Sequence, residues 1–330
     1  MNRLTFILPL KDRPQYSKEW LRHNVHREYD YLVADGSTGS ENEALFRDLQ
    51  LPNLTYVRFA PDKSIEVFVE KLFQAVSQVK TDYVMTCDND DFINRCGVSS
   101  CINALDENSE VVCAGGPIYG VYRYESAGRE PRYGIPLKIT DAAALSGKSG
   151  FDALIQVFRN YRYMWYSVFR TSLYQKIWSD IRQLKIVNIY LVEILQTELT
   201  FCHGEYVQVP VNHYIRLQNP TTSGARDAAA LGHQPSRDIF FNEEYKRQLI
   251  RMSEHVAALA GVSVEQLLNE MTNYYIAGNT HQPDSFAARM SARLGKLHEI
   301  IPRKLGITVP IETGIGFVNG LQTMRNRLGV

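Results

Sequence analysis

The opening stretch of the chain alternates apolar runs of strand length with segments of helix period. The runs are LTFILPL (4–10), YDYLVADGS (29–37), LTYVRFA (54–60) and DYVMTCD (82–88). Between them lie QYSKEWLRHNV (15–25), ENEALFRDLQ (41–50) and SIEVFVEKLFQAVSQV (64–79). Such alternation predicts βαβ units and an α/β fold with a mainly parallel central sheet, because parallel strands need a crossover helix between them. Ligands of such sheets sit beyond the carboxyl ends of the strands. Lys11, Asp12, Asp35 and the group Asp88, Asp90 and Asp91 all fall at those ends.

The fourth run closes as YVMTCDNDDF (83–92). Three carboxylates within four residues repel one another unless water, helix amides or a cation takes up their charge. One of them could cap the helix that follows. The competing reading is a divalent cation bridging a pyrophosphate, with one acid on the metal and another on a ribose hydroxyl.

Downstream, VSSCINALDEN reads as a helix and EVVCAGGPIYGVYRYE as a strand with a glycine interruption. Residues 125–150 are rich in turn residues and are expected to cross over the rim. FDALIQVFRNY and YSVFRTSLYQKIWSDI bring aromatics and helix. IVNIYLVEILQTELTFC is a long apolar helix carrying Glu193 and Glu198, and EYVQVPVNHYIRLQN alternates like a strand. After a polar loop the chain turns helical again from about Phe241, ending in the basic, amphipathic SFAARMSARLGKLHEIIPRKL. The expected division is a domain over 1–240 and a C-terminal helical extension over 241–330.

Composition narrows the function classes. With 36 basic and 36 acidic residues in 330, the chain lacks the basic excess of a dedicated nucleic-acid binder. Its five cysteines form no CxxC pair, which speaks for reduced thiols rather than a zinc knuckle or a disulfide scaffold. The start, MNRLTFILPLKDRP, has an apolar run of seven and reads as a first strand rather than a signal peptide. No window reaches the ~18 apolar residues of a membrane span. A cytoplasmic protein is expected, at most peripheral on the inner face of a membrane.

Several further residues carry two readings each. Asp35 is either an Asx-turn acid in ADGSTG or an acceptor for a nucleobase imide or sugar hydroxyl. Lys11 and Arg13 could face phosphates or stand on a plain surface loop. Glu193 lies among Ile, Leu and Val; on a buried face its pKa would rise and suit a general base, and on a solvent face it would do nothing. His213 is a structural histidine or a metal ligand. Trp165, Tyr166 and Arg170 either stack a sugar and anchor phosphate or belong to the core.

The order FILPLKDRP, YLVADGS, YVMTCDNDDF, YSVFR and YLVEILQTEL…VPVNHYIR resembles the GT-A glycosyltransferases, in particular the large family-2 group, over about residues 3–217. The resemblance implies a nucleotide-sugar donor, a UDP-sugar first, with Mg²⁺ or Mn²⁺. It also implies a glycan or lipid-linked glycan acceptor, and leaves room for peripheral membrane contact or a homo-oligomer. Pro9 to Arg13 matches the first loop, Asp35 the base-contacting acid, Asp88 and Asp90 the D-x-D, and Glu193 the general base of an inverting transfer. Asp91 is the next candidate for the base. The usual Glu-Asp of the late helix reads Glu193-Ile194 here, and the usual Asn of the first loop is Asp12. A sugar-phosphate nucleotidyltransferase would put a glycine-rich loop after the first strand, where PLKDRP has no glycine. A non-catalytic nucleotide-sugar binder would explain the rim without the chemistry.

Overall fold

Strand β1 (Leu4–Leu10) runs through the middle of the sheet, and five of its seven residues lose all solvent contact. Burial on both faces is what a near-continuous apolar run demands, and it places helices above and below the strand. The computed structural model describes residues 2–49, 51–124, 130–159, 164–218, 242–280, 310–316 and 319. The polar loop expected after residue 219 and the basic helix expected over 285–305 lie outside the described residues.

Strands β2 (Asp30–Asp35), β3 (Leu54–Arg58) and β4 (Tyr83–Thr86) join β1 in parallel, in the order β4-β1-β2-β3. Their crossovers are α1 (Pro14–Asn24), α2 (Glu41–Arg47) and α3 (Ile65–Gln78). Pro14 opens α1, where its missing N–H costs nothing. Ser64 caps α3 by accepting from Val67 N–H at 3.3 Å. The buried face of α3 is Ile65, Val69, Leu72, Ala75 and Val76, the stripe its period predicts. Each such side chain fully buried contributes about 1.5–3 kcal/mol.

Beyond β4 the chain departs from simple alternation. After the two-residue β5 (Phe92–Ile93) and α4 (Arg95–Glu107), the run expected as one interrupted strand divides. Strand β6 (Val111–Gly115) enters the large sheet, while β7 (Ile118–Val121) enters a second sheet of four. The run 205–219 divides in the same way into β12 (Glu205–Gln208) and β13 (Tyr214–Leu217). The two crossings touch at Gly116, where a Cβ would lie 1.9 Å from the carbonyl oxygen of Val211. Only glycine permits that approach.

Strands β8 (Arg123–Tyr124) and β9 (Arg132–Tyr133) form a small ribbon, and β10 (Leu137–Thr140) pairs with β7. Helix α5 (Gly150–Arg159) follows, then β11 (Val168–Arg170), which runs antiparallel between β4 and β6. Sequence reading saw only aromatics there. The large sheet is therefore β12-β6-β11-β4-β1-β2-β3, parallel except for β11, and the small one is β10-β7-β13-β5.

Helices α6 (Thr171–Gln183) and α7 (Ile189–His203) cover the sheet. On α7 pack α8 (Glu243–Ala260) and then α9 (Val264–Thr280), and Leu249, Met252, Val256, Leu267 and Met271 all join the main core. Gln248, fully buried on α8, accepts from Val187 N–H at 2.8 Å. Helices α8 and α9 thus share the core of the sheet domain. No helix among the described residues is long and apolar enough to cross a membrane.

Candidate active site

The acids after β4 sit in a turn at the strand's carboxyl end. Asp88, Asp90 and Asp91 each offer one carboxylate oxygen, and these oxygens lie within 4.8 Å of one another. Burial, then the Asp90 charge, holds Asp88 above the ordinary carboxylate range. Burial followed by Asp90 and Asp88 pushes Asp91 well above it. A set of hard oxygen donors kept together against its own repulsion fits an Mg²⁺ or Mn²⁺ ion, which would relieve that repulsion.

The protein itself compensates the acids only in part. Asp12 and Arg13 both take left-handed backbone (φ 57°), a conformation that costs a non-glycine residue on the order of 1 kcal/mol and bends the chain sharply after β1. The bend is held by Ser37 Oγ accepting from Asp12 N–H at 2.7 Å and by Asp12 Oδ1 accepting from Thr38 N–H at 2.9 Å. It sends Arg13 to the acids: Nη1 donates to Asp90 at 2.8 Å and Nη2 to Asn89 at 2.7 Å. Tyr166 donates to Asp88 Oδ2 at 2.5 Å, and Asp91 Oδ1 accepts from Leu217 N–H at 2.8 Å.

Sequence reading missed two residues here. Tyr214 Oη accepts from the Asp88 amide at 2.9 Å and its ring stacks on Tyr166 at 4.3 Å. The Arg216 guanidinium lies 5.2 Å from the centre of the Tyr166 ring, with Nε 4.0 Å from Asp91. Their signal was the two-residue period of β13, which sends 214 and 216 to one face.

Glu193, one turn into α7, is half-buried on the same side. Asn188 sets the helix start by accepting from Tyr190 and Leu191 N–H at 3.0 and 3.2 Å. Burial lifts the Glu193 carboxyl from 4.5 to about 7, with Arg216 pulling it down and Asp88 pushing it up. The charges of Arg216 and Asp88 thus both reach Glu193. Glu198 does not share this setting: it is fully buried in the core, neither oxygen has a partner among the described residues, and burial alone drives its pKa well up.

Asp35 is fully buried at the end of β2. Its Oδ1 accepts from Ser37 N–H at 2.8 Å, and its Oδ2 from Tyr56 at 2.6 Å and Arg58 at 2.7 Å. Beside it, Asp62 and Lys71 form a buried ion pair that sequence reading did not single out, and Lys71 also donates to Leu10 C=O at 3.0 Å. Burial raises Asp62 and lowers Lys71 against their mutual attraction, and the charge of Lys11 reaches both.

Three expectations are corrected. His213 does not present itself to a metal: Nδ1 accepts from Gly116 N–H at 2.8 Å and Nε2 lies 2.7 Å from Tyr166 C=O, so both ring nitrogens are engaged by backbone. Burial lowers its pKa to about 4, and it locks the crossing between the sheets as a neutral ring. Arg170 is not at the rim. Because β11 runs antiparallel, Arg170 pairs with Tyr83 at the opening end of β4 and donates to the carbonyls of Val111, Leu105 and Asn108. Trp165 is a core residue, stacked on Phe68 and set edge-on to Trp178. Tyr166 does reach the site, as a hydrogen-bond donor to Asp88 rather than an open platform for a sugar.

No protein-family profile and no curated protein matches the chain. Among solved structures it is similar to S. aureus TarS 1-349 in complex with UDP-GlcNAc, with a TM-score of 0.54 and 14% identity over 84% of this chain and 73% of that one. It also aligns with S. aureus TarS 1-349 at a TM-score of 0.48 and 16% identity, over 83% of this chain and 89% of the other. A third alignment is with the mannosyltransferase PcManGT from Pyrobaculum calidifontis in complex with GDP-Man and Mn²⁺, at 0.44 and 13%, over 98% and 86%. The first likeness shows the fold. The chain has the GT-A fold: a mostly parallel seven-stranded sheet between helices, with its acids on the rim.

Proposed function

We propose that the chain is a nucleotide-sugar-dependent glycosyltransferase that moves a sugar to a hydroxyl of a glycan or lipid-linked glycan, with inversion. One observation carries the reading: on a GT-A fold, three carboxylate oxygens gather within 4.8 Å of one another beyond the strand ends, and Glu193, raised to about 7, lies in the electrostatic reach of Asp88. A general base works best when its pKa lies near the operating pH.

Glu193 takes the proton of the acceptor hydroxyl at a carboxylate oxygen while the hydroxyl oxygen bonds the anomeric carbon. The bond from that carbon to the phosphate oxygen breaks, and the nucleoside diphosphate leaves. Asp90, with Asp88 and Asp91, would hold a divalent cation, Mg²⁺ or Mn²⁺, whose charge would neutralise that leaving group. Arg13 adds a positive charge at Asp90, and Tyr166 orients Asp88. Lys11 and Asp35 flank the nucleoside end, where Asp35 is pre-set by Tyr56 and Arg58. TarS, of like fold, was solved with UDP-GlcNAc, which supports a UDP-sugar. Five free cysteines suit a reducing compartment and support action in the cytoplasm, with peripheral contact where lipid-linked acceptors lie.

The test is release of nucleoside diphosphate from a panel of UDP- and GDP-sugars with Mn²⁺, with and without oligosaccharide acceptors. Release from one donor, accelerated by an acceptor, is expected. Tight donor binding with no release under any condition would leave a binding protein in its place.

A further inference from the structure

The acid turn is braced from behind by the far end of the chain. Residues 311–316 are helical and pack, with Asn319, against the small sheet. Ile311 is 2% exposed and closes a satellite core with Tyr16, Phe92, Ile215 and Leu217, separate from the main core. Phe92 and Leu217 bracket Asp91: one follows it in the chain, and the other donates the 2.8 Å bond to its Oδ1. Glu312 meets His23 at 2.8 Å, and the His23 ring stands edge-on to Phe92. On the same helix α1, Asn24 donates to Asp91 C=O at 2.9 Å and accepts from Ile93 N–H at 2.8 Å.

Asn94, at the exit of the turn, adds a second link. It occupies the N-cap position of α4 yet makes no side-chain cap, forgoing a contribution of about 1 kcal/mol to that helix. Its amide instead donates to Asn319 Oδ1 at 2.6 Å and to Asn212 C=O at 2.8 Å, while its own N–H donates to His213 C=O at 3.0 Å. Asn94 is buried, so these bonds form in a low dielectric and hold the exit of the turn to β13 and to the C-terminal segment at once.

We propose that residues 310–316 and Asn319 form a positioning element for the acidic turn, with Ile311 and Asn319 as its positioning residues. They fix Asp91 and the exit of the turn from outside the site, as the partners behind metal ligands do. The inference rests on the reading of the acids as a cation site. The main core does not include Ile311, so its loss leaves the large sheet intact.

The test uses the full chain with Ile311→Ser, Ile311→Val and Asn319→Ala. The first readout is Mn²⁺ affinity by calorimetry, and the second is backbone amide exchange without added metal. Expected are an Mn²⁺ Kd weakened about 10–100-fold in Ile311→Ser and Asn319→Ala, near-wild-type affinity in Ile311→Val, and faster exchange at Asp91, Ile93 and Leu217 with β1 to β4 unchanged. Unchanged exchange and unchanged Kd in both disruptive variants would overturn the proposal. Loss of protection throughout the large sheet would also overturn it, by making the segment part of the general core. If the wild type itself does not bind Mn²⁺, the cation reading fails, and the exchange pattern still decides whether the segment braces the turn.

Discussion

Asp35 and the Asp88–Asp91 turn look alike in sequence, each an acid closing an apolar strand at the same edge of one sheet. Their surroundings are opposite. Asp35 is fully buried and saturated by a backbone amide, a phenol and a guanidinium. The acids after β4 face one another and are answered by one arginine bond, one phenol bond, one backbone amide and the longer 4.0 Å approach of Arg216. An acid whose charge the protein already balances is part of the architecture. Acids whose repulsion is left standing have capacity for a ligand of opposite charge.

The comparison breaks most sharply at Glu193, the proposed base, which the Asp88 charge reaches. Glu193→Gln keeps size and hydrogen bonding but loses the proton acceptor, so kcat should fall by roughly 10²–10⁴ with donor Kd unchanged. In the wild type, kcat/KM should rise with pH through about 7, because the base works deprotonated, and the variant should lose that limb. Stability gives an independent sign. The folded protein holds a proton at Glu193 that the unfolded chain releases, so from 4.5 to about 7 rising pH costs the wild type stability. The Gln variant escapes this cost, and its melting temperature relative to wild type should be higher at pH 8 than at pH 5. A near-normal kcat would move the base to Asp91.

Asp90→Asn comes next. Removing one acid from the turn should lower kcat/KM on the order of 10²–10³-fold, the scale of lost charge stabilisation at a leaving group. The melting temperature should hold or rise, since one source of repulsion is gone. Excess chelator on the wild type should reproduce the loss, and undiminished turnover in chelator would sink the cation reading.

Asp35→Asn sharpens the contrast from the other side, with the smallest effect on chemistry. It strands Arg58 and should cost about 1–3 kcal/mol of stability in denaturant unfolding, with donor KM more affected than kcat. If kcat fell as far as in Asp90→Asn, the two acids would not differ as their partners indicate.

Strands β1 to β4, helices α1 to α7 and the collection of acids on one rim were legible because each rests on local pattern: period 2 or 3.6, an apolar run, a turn residue. What was not legible lay where the chain changes layer. The run 110–125 reads as one strand because nothing in its composition records that β6 and β7 belong to different sheets; only the close approach at Gly116 makes the break. Arg170 was misplaced for a related reason. Its rim position follows if every strand points the same way, and β11 alone is reversed.

The side chains divide along the same line. The sequence by itself determined that carboxylates would gather beyond the strands, since residue order along parallel strands dictates which ends meet. It could not say which carboxylate would be balanced, because the balancing groups are distant in the chain: Arg58 for Asp35, Arg13 for Asp90, Tyr166 for Asp88, Leu217 for Asp91. Nor could it say that His213 would spend both nitrogens on backbone, or that Asn319 would reach back to Asn94 across 225 residues. Those outcomes depend on desolvation and on pairings between distant segments, and both exist only once the two sheets have packed together.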